Sequence, residues 1–107
     1  MLFEWRVYKI LPKKMNMVHN LFRNTTLKLF EKHGIKAVGF WEAVVGTSNI
    51  LYYMLAWQDM AHMEKAWSAF RSDPEWIEAR REAVKDGPLT ERVTSILLKP
   101  TAYSPMK

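Results

Sequence analysis

The apolar residues of this chain switch between a two-residue period and a three-to-four-residue period, and the order of these switches restricts the fold more than any other feature. The short period is typical of β-strands and the longer one of amphipathic helices. Strand-like segments cover residues 2–10, 36–46, 49–57 and 91–99, and helix-like segments cover 13–33, 59–71 and 74–84. The pattern therefore predicts the order β-α-β-β-α-β, with two consecutive helices before the last strand.

Local signals support the ends of these segments. Lys32-His33-Gly34 places cations in the last turn of the first helix and a glycine just past it, which is a typical helix stop. Asp59 is the N-cap expected for the next helix, and Asp73-Pro74 supplies a cap followed by proline at the first helical position. Gly46-Thr47-Ser48-Asn49 is a short polar connection, so the second and third strands should form a hairpin.

This order matches the ferredoxin-like split motif, in which right-handed crossovers place the helices on one face of a four-stranded antiparallel sheet. The chain has 107 residues, which fits one domain spanning residues 1–107. Apolar residues make up 49% and charged residues 25% of the chain, and this balance excludes a disordered protein. We predict a single α+β domain.

Both alternating sets of side chains in the predicted strands are apolar, although helices can cover only one face of the sheet. An antiparallel sheet open to water normally carries polar residues on its free face. In the second, third and fourth strands, both alternating sets are apolar instead. The two sets are Val38, Phe40, Val44 and Ala37, Trp41, Val45 in the second strand; Ile50, Tyr52, Met54 and Leu51, Tyr53, Leu55, Trp57 in the third; and Val93, Leu97 and Ile96, Leu98 in the fourth. We predict a homodimer whose two sheets pack about 10 Å apart as a dimeric α+β barrel. Further assembly of dimers stays open.

A polar trio interrupts the first strand. Glu4, Arg6 and Tyr8 are two residues apart and share one face. We expect the alternate residues Phe3, Trp5 and Val7 to pack on the helices, so that the trio faces the space between the two sheets. Asn49 or Tyr53 of the third strand could join it there.

Polar groups that converge in an apolar cavity often orient a ligand. Arg6 would hold an anionic or carbonyl oxygen, and Glu4 would fix the arginine or act as a base. The alternative is a structural ion pair that satisfies its own charges, because buried charges must be paired. The predicted ligand is a small aromatic or anionic molecule, and no catalytic residue is identified.

Several classes of site are excluded or disfavoured by the sequence. The chain has no Cys, and its His residues lack metal-ligand spacing, so neither a metal site nor a cofactor is predicted. The net charge is +5, but the cations are scattered among acidic residues, which argues against nucleic acid as a partner. No apolar run approaches the ~20 residues of a membrane span. We expect a cytoplasmic protein.

Five short segments together resemble the NIPSNAP family. They are Glu4-Trp-Arg-Val-Tyr8, Gly39-Phe-Trp41, Gly46-x-x-Asn49, Asp73-Pro-Glu-Trp76 and Leu97-Leu-Lys-Pro-Thr101 with Ser104-Pro105. The resemblance implies a dimeric α+β barrel and a family with no settled enzyme activity. The candidate site residues to which the resemblance extends are Glu4, Arg6, Tyr8, Asn49 and Trp76. It also places this chain in a superfamily that includes cofactor-independent monooxygenases and haem-degrading enzymes.

The sequence departs from the family pattern in the third strand and the helix after Asp59. Tyr53 stands where a His is common, which weakens a base or haem-ligand role there, and Met63 stands where Arg is expected. Three functions stay open: a small-molecule binder or cofactor-independent enzyme, a non-catalytic structural or protein-interaction module, and a haem-binding or haem-degrading protein. An RNA-recognition domain shares the element order, but the third strand lacks its Gly and basic signature.

Overall fold

The computed structural model describes residues 1–107 and contains a four-stranded antiparallel sheet. Its strands are β1 (Leu2–Ile10), β2 (Lys36–Trp41), β3 (Ile50–Trp57) and β4 (Thr90–Leu98). The strands lie side by side in the order β2-β3-β1-β4. The α+β class and the β-α-β-β-α-β order are confirmed, and β1 is a central strand that neighbours β3, as predicted.

The helices are α1 (Met15–Leu21), α2 (Leu27–Lys32), α3 (Met60–Ser72) and α4 (Pro74–Ala83). A π-helical turn, Phe22–Thr26, joins α1 to α2, so the helical segment predicted over 13–33 contains a local irregularity that its periodicity did not indicate. The segment begins at Met15 because Lys13 adopts a left-handed φ of 70°. None of the helices has the length and apolar character needed to cross a membrane.

The predicted caps form as expected from local chemistry. The Gly34 N–H donates to the Glu31 carbonyl at 3.3 Å, and the Ile35 N–H donates to the Phe30 carbonyl at 2.8 Å. This pair of bonds is a Schellman motif, and the left-handed φ of 72° at Gly34 permits it. At the starts of α3 and α4, Asp59 and Asp73 each accept a backbone N–H hydrogen bond of 2.8 Å.

Strand β2 is shorter than predicted and contains a bulge. It ends at Trp41, and Val44 and Val45 lie fully exposed in the connection to β3. The pairing register shifts between Ala37 and Gly39. This extra residue places Phe40 on the same face as Ala37, whereas simple alternation had grouped Phe40 with Val38. The prediction that β2 extends to residue 46 with apolar residues throughout was therefore wrong.

The core lies between the helices and one face of the sheet. Its most deeply buried side chains are Trp57, Tyr53, Leu29 and Leu55, and it continues into α3 through Trp67 and Phe70. The buried face of β3 is thus the odd-numbered set. Residues paired across antiparallel strands share a face, so the β3 register decides which side of β1 faces the helices.

That register places the polar trio of β1 against the helices. Glu4 pairs with Leu55, and Arg6 pairs with Tyr53. Trp5 lies on the opposite face, where its ring is 5.9 Å from those of Trp41 and Tyr52. The expectation that Phe3, Trp5 and Val7 pack on the helices, with the trio between two sheets, was wrong.

The face of the sheet opposite the helices, the open face, is apolar, as the sequence predicted. Trp41, Ile96 and Leu98 are 48%, 46% and 40% exposed, and the other members are half-buried. The set comprises Trp5, Val7, Trp41, Tyr52, Met54, Ile96 and Leu98. The charged side chains on the same face, Lys9, Lys36 and Arg92, lie toward the ends of their strands.

Candidate functional site

Four side chains form a hydrogen-bonded group between the sheet and the helices, the Arg6 cluster: Glu4, Arg6, Tyr8 and Tyr53. The Arg6 guanidinium donates to the Glu4 carboxylate at 2.7 Å, to the Tyr53 hydroxyl at 2.7 Å and to the Tyr8 hydroxyl at 3.2 Å. The two hydroxyl oxygens are 2.7 Å apart. The structure therefore brings together four of the five predicted site residues.

The fifth residue, Asn49, does not join the Arg6 cluster. It precedes β3 with a left-handed φ of 61°, its side chain is exposed, and its carbonyl accepts the Ile10 N–H at 2.8 Å. Ile10 lies at the far end of β1 from Glu4. Asn49 is thus a turn residue, a role that asparagine fills readily because its side chain tolerates left-handed backbone.

The Glu4 carboxylate accepts four hydrogen bonds. The indole nitrogens of Trp57 and Trp67 donate to Oε1 at 3.0 Å each, and Ser95 and Arg6 donate to Oε2 at 2.6 and 2.7 Å. Four donors fill the ordinary acceptor sites of a carboxylate. Glu4 is 3% exposed, so it has neither a free lone pair nor solvent access for work as a general base.

Opposing effects set the ionisation of the Arg6 cluster. Burial by itself would raise the pKa of Glu4, but the hydrogen bonds from Ser95, Trp67 and Arg6, with the arginine charge, lower it below its ordinary value. Burial acts to lower the pKa of Arg6, yet Tyr53, Tyr8 and Glu4 raise it overall. At neutral pH the cluster therefore holds one carboxylate and one guanidinium.

Burial and the neighbouring Tyr8 raise the pKa of Tyr53 well above its ordinary value, although Arg6 acts in the opposite direction. Tyr53 is therefore a neutral phenol. Its hydroxyl accepts from Arg6 and contacts only one other polar atom, the Tyr8 oxygen. Because Tyr53 is fully buried, its proton would lack an acceptor unless Tyr53 donates to Tyr8. This direction leaves the Tyr8 proton free.

A cavity of about 260 Å³ lies next to the Arg6 cluster. Buried side chains form its floor, and exposed residues of α4 and β4 form its mouth. The lining is mostly apolar and comprises Tyr8, Val18, Leu21, Phe22, Thr26, Phe30, Trp67, Phe70, Trp76, Arg80, Val84, Pro88, Leu89, Thr90 and Val93. It contains no carboxylate and no histidine.

Two residues belong to both the cavity wall and the hydrogen-bond network. Tyr8 lines the cavity and belongs to the Arg6 cluster. Trp67 lines it too, donates to Glu4, and lies with its ring centre 4.8 Å from the guanidinium carbon of Arg6. The network thus fixes part of the cavity wall, including the Tyr8 side chain.

The π-helical turn also contributes to the cavity through Phe22 and Thr26. The Thr26 hydroxyl donates to the Leu21 carbonyl at 3.3 Å, which satisfies a backbone acceptor where the regular helix is interrupted. Such turns occur frequently at functional sites.

Sequence reasoning missed Trp67, Ser95 and Arg80. Trp67 was not singled out, yet a buried indole N–H needs an acceptor and a buried Glu4 needs donors, so their pairing had a physical signal. Arg80 was counted only among the scattered cations. Trp76, carried over from the family resemblance, lines the cavity and stacks at 4.6 Å on Phe70. No group of three His, Asp or Glu side chains lies close enough to bind a metal ion.

Comparison with known proteins gives a sequence family and a set of similar structures. A family model described as NIPSNAP matches residues 3–105. Curated protein sequences give no match. An uncharacterised NIPSNAP domain protein from Burkholderia xenovorans is 26% identical, with a TM-score of 0.85 over 98% of this chain and 99% of that one.

Two other structures agree in fold. A NIPSNAP family protein from Agrobacterium tumefaciens is 19% identical, with a TM-score of 0.88 over 99% of this chain and 98% of that one. An antibiotic biosynthesis monooxygenase is 16% identical, with a TM-score of 0.56 over 94% of this chain and 99% of that one. These likenesses concern the fold and carry no activity to this chain.

Proposed function

This chain belongs to the NIPSNAP family, and from that premise we propose that it binds an apolar small molecule with an acceptor oxygen in the cavity between helices and sheet. The observation that carries the proposal is a mostly apolar cavity wall that includes Tyr8, whose hydroxyl the Arg6 cluster holds in place. Ligand pockets typically combine such a wall with a few placed polar groups.

The cavity limits the size of the ligand. An engineered cavity of about 150 Å³ accepts benzene, so by proportion 260 Å³ has room for about ten non-hydrogen atoms. A ring with a short chain fits that space. A haem macrocycle does not, and no histidine lines the wall to ligate its iron. The haem alternative predicts a Soret shift on addition of haemin, and we expect none.

Binding fits the Arg6 cluster better than catalysis does. Glu4 has its acceptor sites filled and Arg6 is engaged on three sides. The network holds the Tyr8 side chain in place, which lowers the entropy cost of ordering it on binding. The Arg6 cluster acts as a support for the Tyr8 donor, which differs from the direct contact to ligand that the sequence suggested.

The open face supports a second part of the proposal, a homodimer. A mostly aromatic and aliphatic sheet face of this composition exceeds what a monomer normally leaves to water. A second copy of the same face covers it by two-fold packing. In this arrangement the ligand cavities lie on the outer sides of the two sheets, each within one protomer.

A titration with 3-phenylpropanamide tests the binding proposal. This amide is aromatic, uncharged and carries one carbonyl. NMR signals of the Trp67 and Trp76 indole N–H groups should shift on its addition. Tyr8→Phe should weaken binding about three- to tenfold, since it removes one neutral hydrogen bond of about 1 kcal/mol.

Two Trp variants of β4 provide the matched comparison. Val93→Trp fills the cavity mouth and should abolish binding, whereas Leu97→Trp, on the same face but outside the cavity lining, should leave it intact. Absence of any indole shift in wild type, or equal binding by the two variants, would overturn the proposal.

A further inference from the structure

The mouth of the cavity carries one ionisable side chain, Arg80. The other lining residues are neutral, and none is acidic. An apolar wall with one cation at its entrance has an electrostatic preference for an anionic group attached to an apolar body. The neutral wall, Tyr8 included, does not distinguish an acid from an uncharged molecule, so Arg80 is the feature that selects for charge.

The position of Arg80 on α4 aims it at the cavity. Trp76, Arg80 and Val84 are four residues apart and share one side of the helical segment, and all three line the cavity. Arg80 is thus the cationic member of an otherwise apolar stripe. The neighbouring cations Arg81 and Lys85 lie elsewhere on the segment and are outside the lining.

Arg80 is also free to bind. Arg81 pairs with Glu78 and Lys85 pairs with Glu82, each at 2.6 Å, whereas Arg80 forms neither an ion pair nor a side-chain hydrogen bond. An unengaged guanidinium presents its parallel N–H groups to a planar carboxylate in a two-point contact. A phosphate dianion would require a second cation, which the lining does not supply.

We propose, building on the proposed function, that the cavity takes an aromatic or branched apolar monocarboxylic acid of about ten non-hydrogen atoms, whose carboxylate accepts from Tyr8 and from Arg80 at the mouth. The apolar body fills the space among Phe22, Phe70 and Trp76. Arg80 is then the specificity-determining residue of the site, and Arg6, whose donors are engaged by Glu4, Tyr8 and Tyr53, is a positioning residue.

The test compares 3-phenylpropanoate with 3-phenylpropanamide, which has the same shape and no charge. Wild type should bind the acid about three- to tenfold more tightly than the amide, the range for a partly exposed charge-assisted contact. Arg80→Gln should remove this preference, so that the acid and the amide bind about equally. Arg81→Gln removes the same charge from the same helix outside the cavity, and it should keep the preference.

The other possible outcomes decide between the Arg80 assignment and the cavity proposal. Equal affinities of wild type for acid and amide would overturn the Arg80 assignment and leave the cavity proposal standing. So would an acid preference that survives in Arg80→Gln, or one that Arg81→Gln loses to the same extent. If neither compound binds wild type, both proposals fail together.

Discussion

Trp67 reaches from α3 to the central strand, where its indole nitrogen donates a hydrogen bond of 3.0 Å to the buried carboxylate of Glu4. The same ring lies against the guanidinium of Arg6 and forms part of the cavity wall. One side chain therefore connects the helix layer, the ion pair and the candidate ligand site, and damage to this connection should affect stability and binding together.

Replacing Glu4 by Gln should destabilise the fold strongly. The substitution removes the charge that balances Arg6 and turns an acceptor oxygen into an amide donor facing other donors. Breaking a buried ion pair costs about 3–5 kcal/mol. Urea denaturation measures the loss, with Glu91→Gln as control, because the Glu91 pair with Lys9 is half-exposed and contributes about 0–1 kcal/mol. Similar losses in both variants would contradict the structural role of Glu4.

Replacing Trp67 by Phe separates the hydrogen bond from most of the ring packing. The variant keeps an aromatic ring beside Arg6 but loses the N–H donor to Glu4, which should cost about 1.5–3 kcal/mol as a bond to a charged group. Trp76→Phe is the matched control, because Trp76 lines the same cavity without a hydrogen bond from its indole nitrogen. The difference between the two unfolding free energies should exceed about 1 kcal/mol; a reversed order would refute the account.

Acid should destabilise the protein partly through Asp73. The hydrogen bonds from Lys32 and His33, and that from the Glu75 backbone, hold the pKa of Asp73 below its ordinary value of 3.8. In the window between the folded and unfolded pKa the unfolded chain binds more protons, so stability rises with pH there. This contribution is fully present well above pH 3.8 and is lost as the pH falls through the folded pKa.

Asp73→Asn should therefore flatten the pH dependence of the unfolding free energy below pH 3.8. Guanidinium denaturation at a series of pH values measures this slope. Asp86→Asn serves as control, since Asp86 forms no ion pair and should leave the slope unchanged. A wild-type slope that persists in Asp73→Asn would show that other carboxylates dominate the acid response.

A charge on the open face should prevent the proposed dimer. Ile96 lies on that face and Leu97 on the helix side of the same strand, and both are partly exposed, at 46% and 36%. Ile96→Lys should give a monomer, since it would bury an unpaired charge in the interface, whereas Leu97→Lys should leave the dimer intact. Sedimentation equilibrium at micromolar concentration reports the mass. A monomeric wild type would remove this part of the proposal.

The sequence by itself determined the order of the elements and the shared face of Glu4, Arg6 and Tyr8. Caps such as Asp59 and Asp73 act over three residues, and the two-residue period puts Glu4, Arg6 and Tyr8 on one face wherever that face points. These are local constraints, so local sequence carries them. The apolar character of both sheet faces likewise follows from the residues of the strands.

Only the tertiary structure decided which face of β1 meets the helices. Both alternating sets of β1 carry large side chains, so periodicity alone could not choose between them. The pairing with β3 decides the orientation of β1, because the odd-numbered residues of β3 fill the core and Arg6 pairs directly with Tyr53. The cavity, with Arg80 at its mouth, forms where segments that are far apart in the sequence meet. Contacts between such segments do not follow from the periodicity of the sequence.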